Sequence, residues 1–320
     1  MITVVIPFFQ RSPGVLAKAL ASIACQQNCP MPIHVIVVDD ASPVPAAVDV
    51  DGMANMPWPV QIIKQANGGP GAARNAGLAN APHDTRYIAF LDSDDEWTPH
   101  HLARAVAALQ AGYGCYFADH FQLGQDISAF ARAKRIKPEA HPNLPSAEPG
   151  LHAFHGDMLD QIIFGNVIGT STVVYDAVAF RKNRFRVEFT NAGEDYLFWM
   201  ELAQSGAKFA FSSESEARYG RGVNVYSGAG WGSEEHLLRI HNEMKYRKTT
   251  IALFSLTPSQ RSHVEKSIHT LRGAFARDLL HRMAHRKKTS MRLLRNHIAL
   301  DPKGFALFPF TCLKVAVGKS

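Results

Sequence analysis

Several things are scarce or missing in this chain, and each absence excludes something. No window of about 18 apolar residues occurs among the 320, which rules out a membrane-spanning helix. Cysteine is sparse: Cys25, Cys29, Cys115 and Cys312 are too scattered for a disulfide framework. No second pair accompanies Cys25 and Cys29 to complete a zinc site. The low hydrophobicity and high charge of a disordered chain are absent, since hydrophobic residues make up 46% and charged residues 19%. No internal repeat is present. The opening Met1–Gln10 stretch lacks the basic segment and cleavage site of a secretion signal, so it reads as a first strand, and a reducing cytoplasm is expected.

What is present fits two modest domains or one enlarged α/β domain. Charge is unevenly placed. Residues 1–115 carry six cations against nine acids, residues 116–250 fifteen against sixteen, and residues 251–320 thirteen against three. The net charge of +6 is thus a property of the tail. A near-neutral body with a cationic end suggests an anionic surface met at that end.

Over residues 1–115 strands and helices alternate. Ile2–Phe8 is a continuous apolar strand, and Ser12-Pro13 supplies a cap and first-turn proline for a helix to about Gln27. Ile33–Val38 is a second strand, Val60–Lys64 a weaker third, and Pro70–Asn80 a short helix. Tyr87–Leu91 is a fourth strand, and Thr98-Pro99 opens a helix to about Gly112. Fully apolar strands alternating with helices imply a parallel sheet covered on both faces, with ligands beyond the carboxyl ends of its strands. Residues 124–156 read as a long loop, Ser171–Tyr175 as a strand, and Glu194–Gln204 as a helix ended by Gly206. Thr257-Pro258-Ser259-Gln260 forms a capping box. Beyond it Val264, Ile268, Leu271, Phe275, Leu279 and Met283 recur at helical spacing.

Four stretches carry chemistry. Asp92-Ser93-Asp94-Asp95-Glu96 puts four acids in five positions after an apolar strand. Their repulsion costs stability unless a cation sits there, and Mg²⁺ typically takes one or two carboxylates plus substrate phosphates. The competing reading is an acidic helix start capped by Thr98. Asp39-Asp40-Ala41-Ser42 also ends a buried strand. It reads either as an Asx turn or as a place where Asp39 accepts hydrogen bonds from a ribose or base. Gly68–Gly77 joins a glycine turn to a helix and matches neither common phosphate-binding fingerprint, yet it aims Arg74 where a diphosphate could lie. Glu194-Asp195 opens an apolar helix, as a cap or as a general base kept ionised by the helix end.

Together with Val5-Ile6-Pro7-Phe8-Phe9-Gln10-Arg11, these stretches resemble an inverting family-2 glycosyltransferase. Val38–Ser42, Gly71–Gly77, the Asp92-Ser93-Asp94 triplet and Glu194-Asp195 follow in family order over residues 1–205. The opening and length are most similar to bacterial exopolysaccharide enzymes such as the rhizobial succinoglycan glucosyltransferases. The resemblance implies a GT-A fold: an α/β architecture with a mostly parallel, Rossmann-like central sheet, flanking helices and a C-terminal helical extension. Residues 1–115 would be the nucleotide-sugar half, 116–250 the acceptor half, and 251–320 a basic helical extension.

The resemblance also implies roles. Asp39 would hold the base or ribose and Arg74 would help place the donor. Asp92 would reach the ribose or the metal, and Asp94 would ligate Mn²⁺ or Mg²⁺. Pro7, Phe8, Phe9 and Ser93 would line the UDP-sugar site. Asp195, with Glu194, would be catalytic, removing a proton from the acceptor. Phe9-Gln10 departs from the commoner Tyr-Asn. The implied reaction moves a sugar, with glucose expected, onto a lipid-linked oligosaccharide and forms a β-glycoside. The basic helix from Pro258 is expected to hold the protein on the cytoplasmic face of an anionic membrane. Its alternative is a helix packed on the body with a solvated basic face.

Three rivals remain. A metal-dependent phosphohydrolase using Asp92 would need a lysine and further acids at later strand ends. A nucleic-acid binder would need cations interleaved with aromatics on the body, whereas the cations sit in the tail, so no nucleic acid is expected. A catalytically dead assembly scaffold is opposed by Asp94 and Asp195. Arg221-Gly222-Val223-Asn224 and Trp231-Gly232 look like an acceptor loop, with a buried tryptophan hairpin as the alternative.

Overall fold

A computed structural model describes the chain except residues 54, 55, 123, 146, 147, 191, 192, 221–229 and 317–320, with side chains to residue 312. The 221–224 part of the expected acceptor loop lies outside the described residues. Residues 1–190 and 194–223 make one compact unit, and residues 191–193 and 224–320 a second.

The first unit runs β1 (Ile2–Phe8), α1 (Val15–Ala24), β2 (Ile33–Asp39), α2 (Ala46–Asp51), β3 (Val60–Lys64), α3 (Pro70–Ala79) and β4 (Tyr87–Phe90). It continues with β5 (Glu96–Trp97), α4 (His101–Gln110), β6 (Cys115–Phe121), α5 (Ala129–Ala133), β7 (Leu151–Ala153), α6 (Met158–Gly165), β8 (Val174–Asp176), α7 (Glu194–Gln204) and β9 (Phe209–Arg218). The strands form one mixed sheet in the order β3-β2-β1-β4-β8-β6-β9-β5, with β7 also on β9. The longest pairings, β1 with β2 and β6 with β9, are parallel, whereas β8 runs antiparallel between β4 and β6. The sheet is thus mixed, with β1, β2, β3 and β4 parallel as the apolar strands led one to expect.

Helices cover β1, β2 and β4 on both faces, so their side chains are apolar throughout, and Val4, Ile6, Val35, Val37 and Ala89 join one core with Leu16 and Leu20. On the other face α3 approaches β1 so closely that a Cβ at Gly77 would lie 2.3 Å from Val5 Cγ1. Only glycine permits that approach.

Local signals mislead at several places. α1 has Gly14 at its N-cap, and the Ser12-Pro13 cap does not form. The Asp49 carboxylate, 35 residues away, instead accepts the Gly14 and Leu16 amides at 2.7 and 2.9 Å. Thr98 likewise caps no helix: α4 starts at His101, and the Thr98 amide donates to the Glu216 carbonyl at 2.9 Å. Pairing of β5 with β9 holds residues 96–98 in edge-strand geometry, which removes the acidic-helix-start reading of the Asp92–Glu96 cluster. The 124–156 segment holds α5 and β7, and a 3-10 turn over Thr170–Thr172 shortens the expected Ser171–Tyr175 strand to β8.

The second unit is helical: α8 (Glu234–Leu253), α9 (Pro258–Ala284), α10 (Met291–Leu300), α11 (Pro302–Ala306) and α12 (Phe308–Ala316). α8 was expected with the acceptor half but belongs here. The Thr257 capping box forms as expected. Leu237 and Ile240 of α8, Phe275 of α9 and Leu293 of α10 make its core, whereas Met283 is exposed. Two cations of the basic stretch are consumed internally. Arg272, with Lys248, pairs with buried Asp301, and Arg282 is buried against the carbonyls of Gly232 and Lys288. Trp231 is 55% exposed, so it is no buried hairpin residue.

Candidate active site

The parallel strands β1, β2 and β4 deliver their carboxyl ends to one edge of the sheet, where the acids of the sequence motifs gather. Asp39 ends β2. Its Oδ1 accepts the Ser42 amide at 2.8 Å and its Oδ2 the Ala46 amide at 3.0 Å, so it closes the turn and caps α2. The next acid, Asp40, accepts the Gly68 amide on Oδ1 and the Gly69 amide on Oδ2, both at 2.8 Å. That hangs the glycine turn before α3 from the end of β2, and α3 then carries Arg74 in its second turn. Pro7 lies in β1 opposite Val38, Phe8 turns its ring into the core, and Phe9 is half-buried. Phe8 can therefore reach a ligand only through its backbone.

Arg74 is the hub of the site. Its guanidinium donates to Asp92 Oδ1 at 2.7 Å and to Glu194 Oε1 at 3.3 Å, and lies 5.3 Å from the Phe185 ring centroid. The Arg74 side chain is 4% exposed while that of Asp92 is 35% exposed, so the pair joins a buried cation to an accessible carboxylate. These acids, with Asp195, hold Arg74 charged against the cost of burial. The pairing brings together residues that lie 18 and 120 positions apart in the chain.

Asp94 stands half-buried beside Asp92, and Ser93 is buried. Asp95 lies behind them. It accepts the Ser171 hydroxyl on Oδ2 and the Gly220 amide on Oδ1 at 2.9 Å. Burial, with Asp92 and Asp94 close by, pushes its carboxyl up to about 8. A Cβ at Gly220 would sit 1.7 Å from the Asp94 carbonyl oxygen, so only glycine lets β9 leave the sheet past this cluster.

Glu194 and Asp195 open α7. Burial is the main influence on both and Arg74 opposes it; Asp195 raises Glu194 further, and Asp92 adds to both. Glu194 is pushed up to about 7, and Asp195 is also raised. The backbone amides at the helix start favour the charged form of Asp195, as the sequence led one to expect, but burial outweighs them and raises the group, which makes the carboxylate a stronger base. Asp195 Oδ2 accepts the Thr170 hydroxyl at 3.4 Å. Glu194 Oε2 and Arg74 Nε, both buried, have no hydrogen-bond partner among the described residues.

Several site residues escaped the sequence reading. Gln10 donates to Ser93 Oγ at 3.0 Å. Ser171 accepts the Asp92 amide at 3.0 Å and donates to Asp95. Tyr219 stacks on His120 with centroids 4.3 Å apart. Burial raises the Tyr219 phenol well above its usual value, and Asp95, Asp92 and Asp195 add to that effect. Burial lowers His120. Gln10 lies within the opening motif, where the sequence alone assigns it no role; the others sit in weakly patterned stretches.

Two carboxylates at a strand end, hard oxygen donors open on one side, suit Mn²⁺ or Mg²⁺ completed by diphosphate oxygens. No cluster of three or more His, Cys, Asp or Glu side chains placed to hold a metal ion occurs among the described residues.

Residues 3–174 match the family model described as glycosyl transferase family 2. Over 99% of its length the chain is 30% identical to the succinoglycan biosynthesis protein ExoW of Rhizobium meliloti, covering 98% of that protein. Among solved structures it is similar to S. aureus TarS 1-349 in complex with UDP-GlcNAc, with TM-score 0.58 and 16% identity over 99% of this chain and 88% of that one. It is also similar to the mannosyltransferase PcManGT of Pyrobaculum calidifontis in complex with GDP-Man and Mn²⁺, with TM-score 0.52 and 14% identity over 99% and 86%.

Proposed function

The chain belongs to glycosyl transferase family 2 and has the GT-A fold, and on that premise we propose that it is an inverting hexosyltransferase of bacterial exopolysaccharide assembly. It moves glucose from a UDP-sugar to a lipid-linked oligosaccharide, working from the cytoplasmic face of the membrane. The observation that carries this reading is the Arg74 bridge, which places the Asp92-Ser93-Asp94 triplet and the Glu194-Asp195 pair in one site. The homology to ExoW supports the exopolysaccharide context. The ligands named for TarS and PcManGT support a nucleotide-sugar donor and Mn²⁺.

Asp94, with Asp92, would hold Mn²⁺ or Mg²⁺, which when bound offsets the charge of the departing nucleoside diphosphate. The rest is done by the chain's own residues. Pro7, Phe9, Asp39 and Ser93 lie along the donor's nucleotide, and Arg74 fixes the position of Asp92 while partly neutralising the acids around it. Asp195 takes the proton of the acceptor hydroxyl as that oxygen attacks the anomeric carbon from the face opposite the leaving diphosphate. One displacement inverts an α-linked donor to a β-glycoside. General-base assistance of this kind is typically worth about 10²–10⁴-fold. Glu194, largely desolvated, holds Arg74 from the other side through Oε1.

The test is a donor panel with purified protein, Mn²⁺ and a lipid-linked acceptor extract, following both nucleoside diphosphate and glycosylated product. Product formation with one UDP-sugar supports the reading. Nucleoside monophosphate released with sugar 1-phosphate or inorganic phosphate, at equal rates with and without acceptor and with no transferred sugar, overturns it in favour of a phosphohydrolase.

A further inference from the structure

The basic tail does not present its charge where sequence spacing suggested. On α9, Arg272 is tied to Asp301 and Arg282 is buried, which removes two of the cations expected to face an anionic surface. The region past α9 is different. Arg292 and Arg295 on α10 and Lys303 on α11 are exposed. Asp301, the sole acid of residues 279–320, is buried and occupied by Arg272 and Lys248.

The same stretch exposes large apolar side chains. Phe305 is 54% exposed, Leu307 42% and Phe310 69%, a density unusual for a surface left in water. Beside them an apolar cavity of about 130 Å³ opens between α9, α10, α11 and α12, lined by Phe275, Leu279, Leu294, Ile298, Phe305 and Phe308. Its polar members are already engaged: Arg272 pairs with Asp301, His297 stacks on Phe275, and the Thr311 hydroxyl donates to the Leu307 carbonyl. Exposed aromatics at a helix junction, flanked by unopposed cations, match the interface of an anionic bilayer: rings sit at the acyl boundary and cations meet headgroups.

We propose that α10, α11 and α12 form the membrane-docking face. Phe305, Leu307 and Phe310 enter the interface, Arg292, Arg295 and Lys303 meet anionic headgroups, and the cavity receives the end segment of one lipid acyl chain. The occupant is a lipid leaflet because the patch joins positive charge to apolar area, whereas a second copy of this chain would bring the same positive charge against it. This rests on the reading of a peripheral membrane enzyme and narrows the contact, expected from the whole basic stretch after Pro258, to the helices after α9.

The test is vesicle co-sedimentation of the full chain, with phosphatidylglycerol-containing against pure phosphatidylcholine vesicles, at low and high salt. Phe305→Ser/Phe310→Ser and, separately, Arg292→Gln/Arg295→Gln/Lys303→Gln are each expected to weaken binding to anionic vesicles, the triple change by about 100-fold at low salt. Arg261→Gln/Arg277→Gln on α9 is expected to change it less than about threefold. Thermal unfolding and donor hydrolysis in detergent-free buffer check that the variants remain folded, and Phe310→Ser alone serves if the double change does not fold. Wild-type pelleting that persists in both sets of variants overturns this face while leaving the peripheral-membrane reading intact. Wild-type protein that fails to pellet overturns both, and a stable dimer lost in the phenylalanine variants assigns the face to self-association instead.

Discussion

Gln10 Nε2 donates a 3.0 Å hydrogen bond to Ser93 Oγ, across 83 residues of chain. The Gln10 backbone is in turn locked to Ser42, whose Oγ accepts the Gln10 amide at 2.7 Å and donates to the Gln10 carbonyl at 2.9 Å. One residue thus ties the end of β1 to the turn after β2 and to the centre of the Asp92-Ser93-Asp94 triplet. All three segments are ones the proposed function assigns to the donor's nucleotide.

Gln10→Ala removes the buried tether and leaves Ser93 without its donor, which costs about 1–3 kcal/mol. The expected outcome is a lower urea midpoint and a KM for donor raised several-fold, with kcat changed less. A variant with unaltered donor KM and unaltered midpoint would show that the tether positions nothing.

Glu194 makes stability depend on pH. Its folded value is pushed up to about 7 from an ordinary 4.5, mainly by burial and then by Asp195. Below pH 4.5 the group is protonated in both states and imposes no penalty. Between pH 4.5 and 7 the unfolded chain releases its proton while the folded chain retains it, so stability falls as pH rises through this window. The total is on the order of 3 kcal/mol. Denaturant midpoints of metal-free protein should drop across this range, and Glu194→Gln should flatten the slope. A wild-type slope equal to that of Glu194→Gln refutes the assignment.

The boundary between what was legible in the sequence and what was not follows the range of the forces. β1, β2 and β4 are readable because they are buried on both faces and must be apolar. β6 and β9 were missed because they carry Asp119, His120, Ser212 and Glu216 inside the fold. Glu216 is tolerated there because His101 Nδ1 at 2.8 Å, the Tyr116 hydroxyl at 2.7 Å and Arg104 at 3.3 Å surround it. None of these partners is adjacent in sequence, so the strand reads as polar. The α1 cap fails for the same reason, since Asp49 acts from a distance. In the site, each motif was visible alone, but the Arg74 link between them exists only after folding.

Metal dependence gives a direct expectation. Asp94→Ala should reduce transfer to near background, and EDTA should do so reversibly, with activity restored by Mn²⁺ or Mg²⁺. Arg74 only partly neutralises the acids at this strand end, so a diphosphate brought against Asp92 and Asp94 without a metal meets net repulsion, and the metal-free wild type should also show weaker donor binding in calorimetry. Full transfer in EDTA would remove the metal from the site.

Asp195→Asn separates catalysis from binding. The amide has the size of the carboxylate; its one oxygen can keep the Tyr196 amide at 2.8 Å while its NH2 donates to the Thr170 hydroxyl, so the opening of α7 should keep its geometry. It cannot take a proton from an incoming hydroxyl. Arg74 should stay in place, because its partners in this cluster are Asp92 and Glu194 rather than Asp195. The expected result is donor affinity within about threefold of wild type and kcat lower by about 10²-fold or more. Thr170→Val is the control. It removes only the long hydrogen bond to Asp195 Oδ2 and should lower kcat far less than Asp195→Asn, while shifting the pH at which the rate begins to rise upward, because a carboxylate that loses a donor is harder to ionise. Preserved kcat in Asp195→Asn with lost donor affinity would make Asp195 a binding residue. Equal kcat losses in Asp195→Asn and Thr170→Val would instead make it a structural element of the helix start.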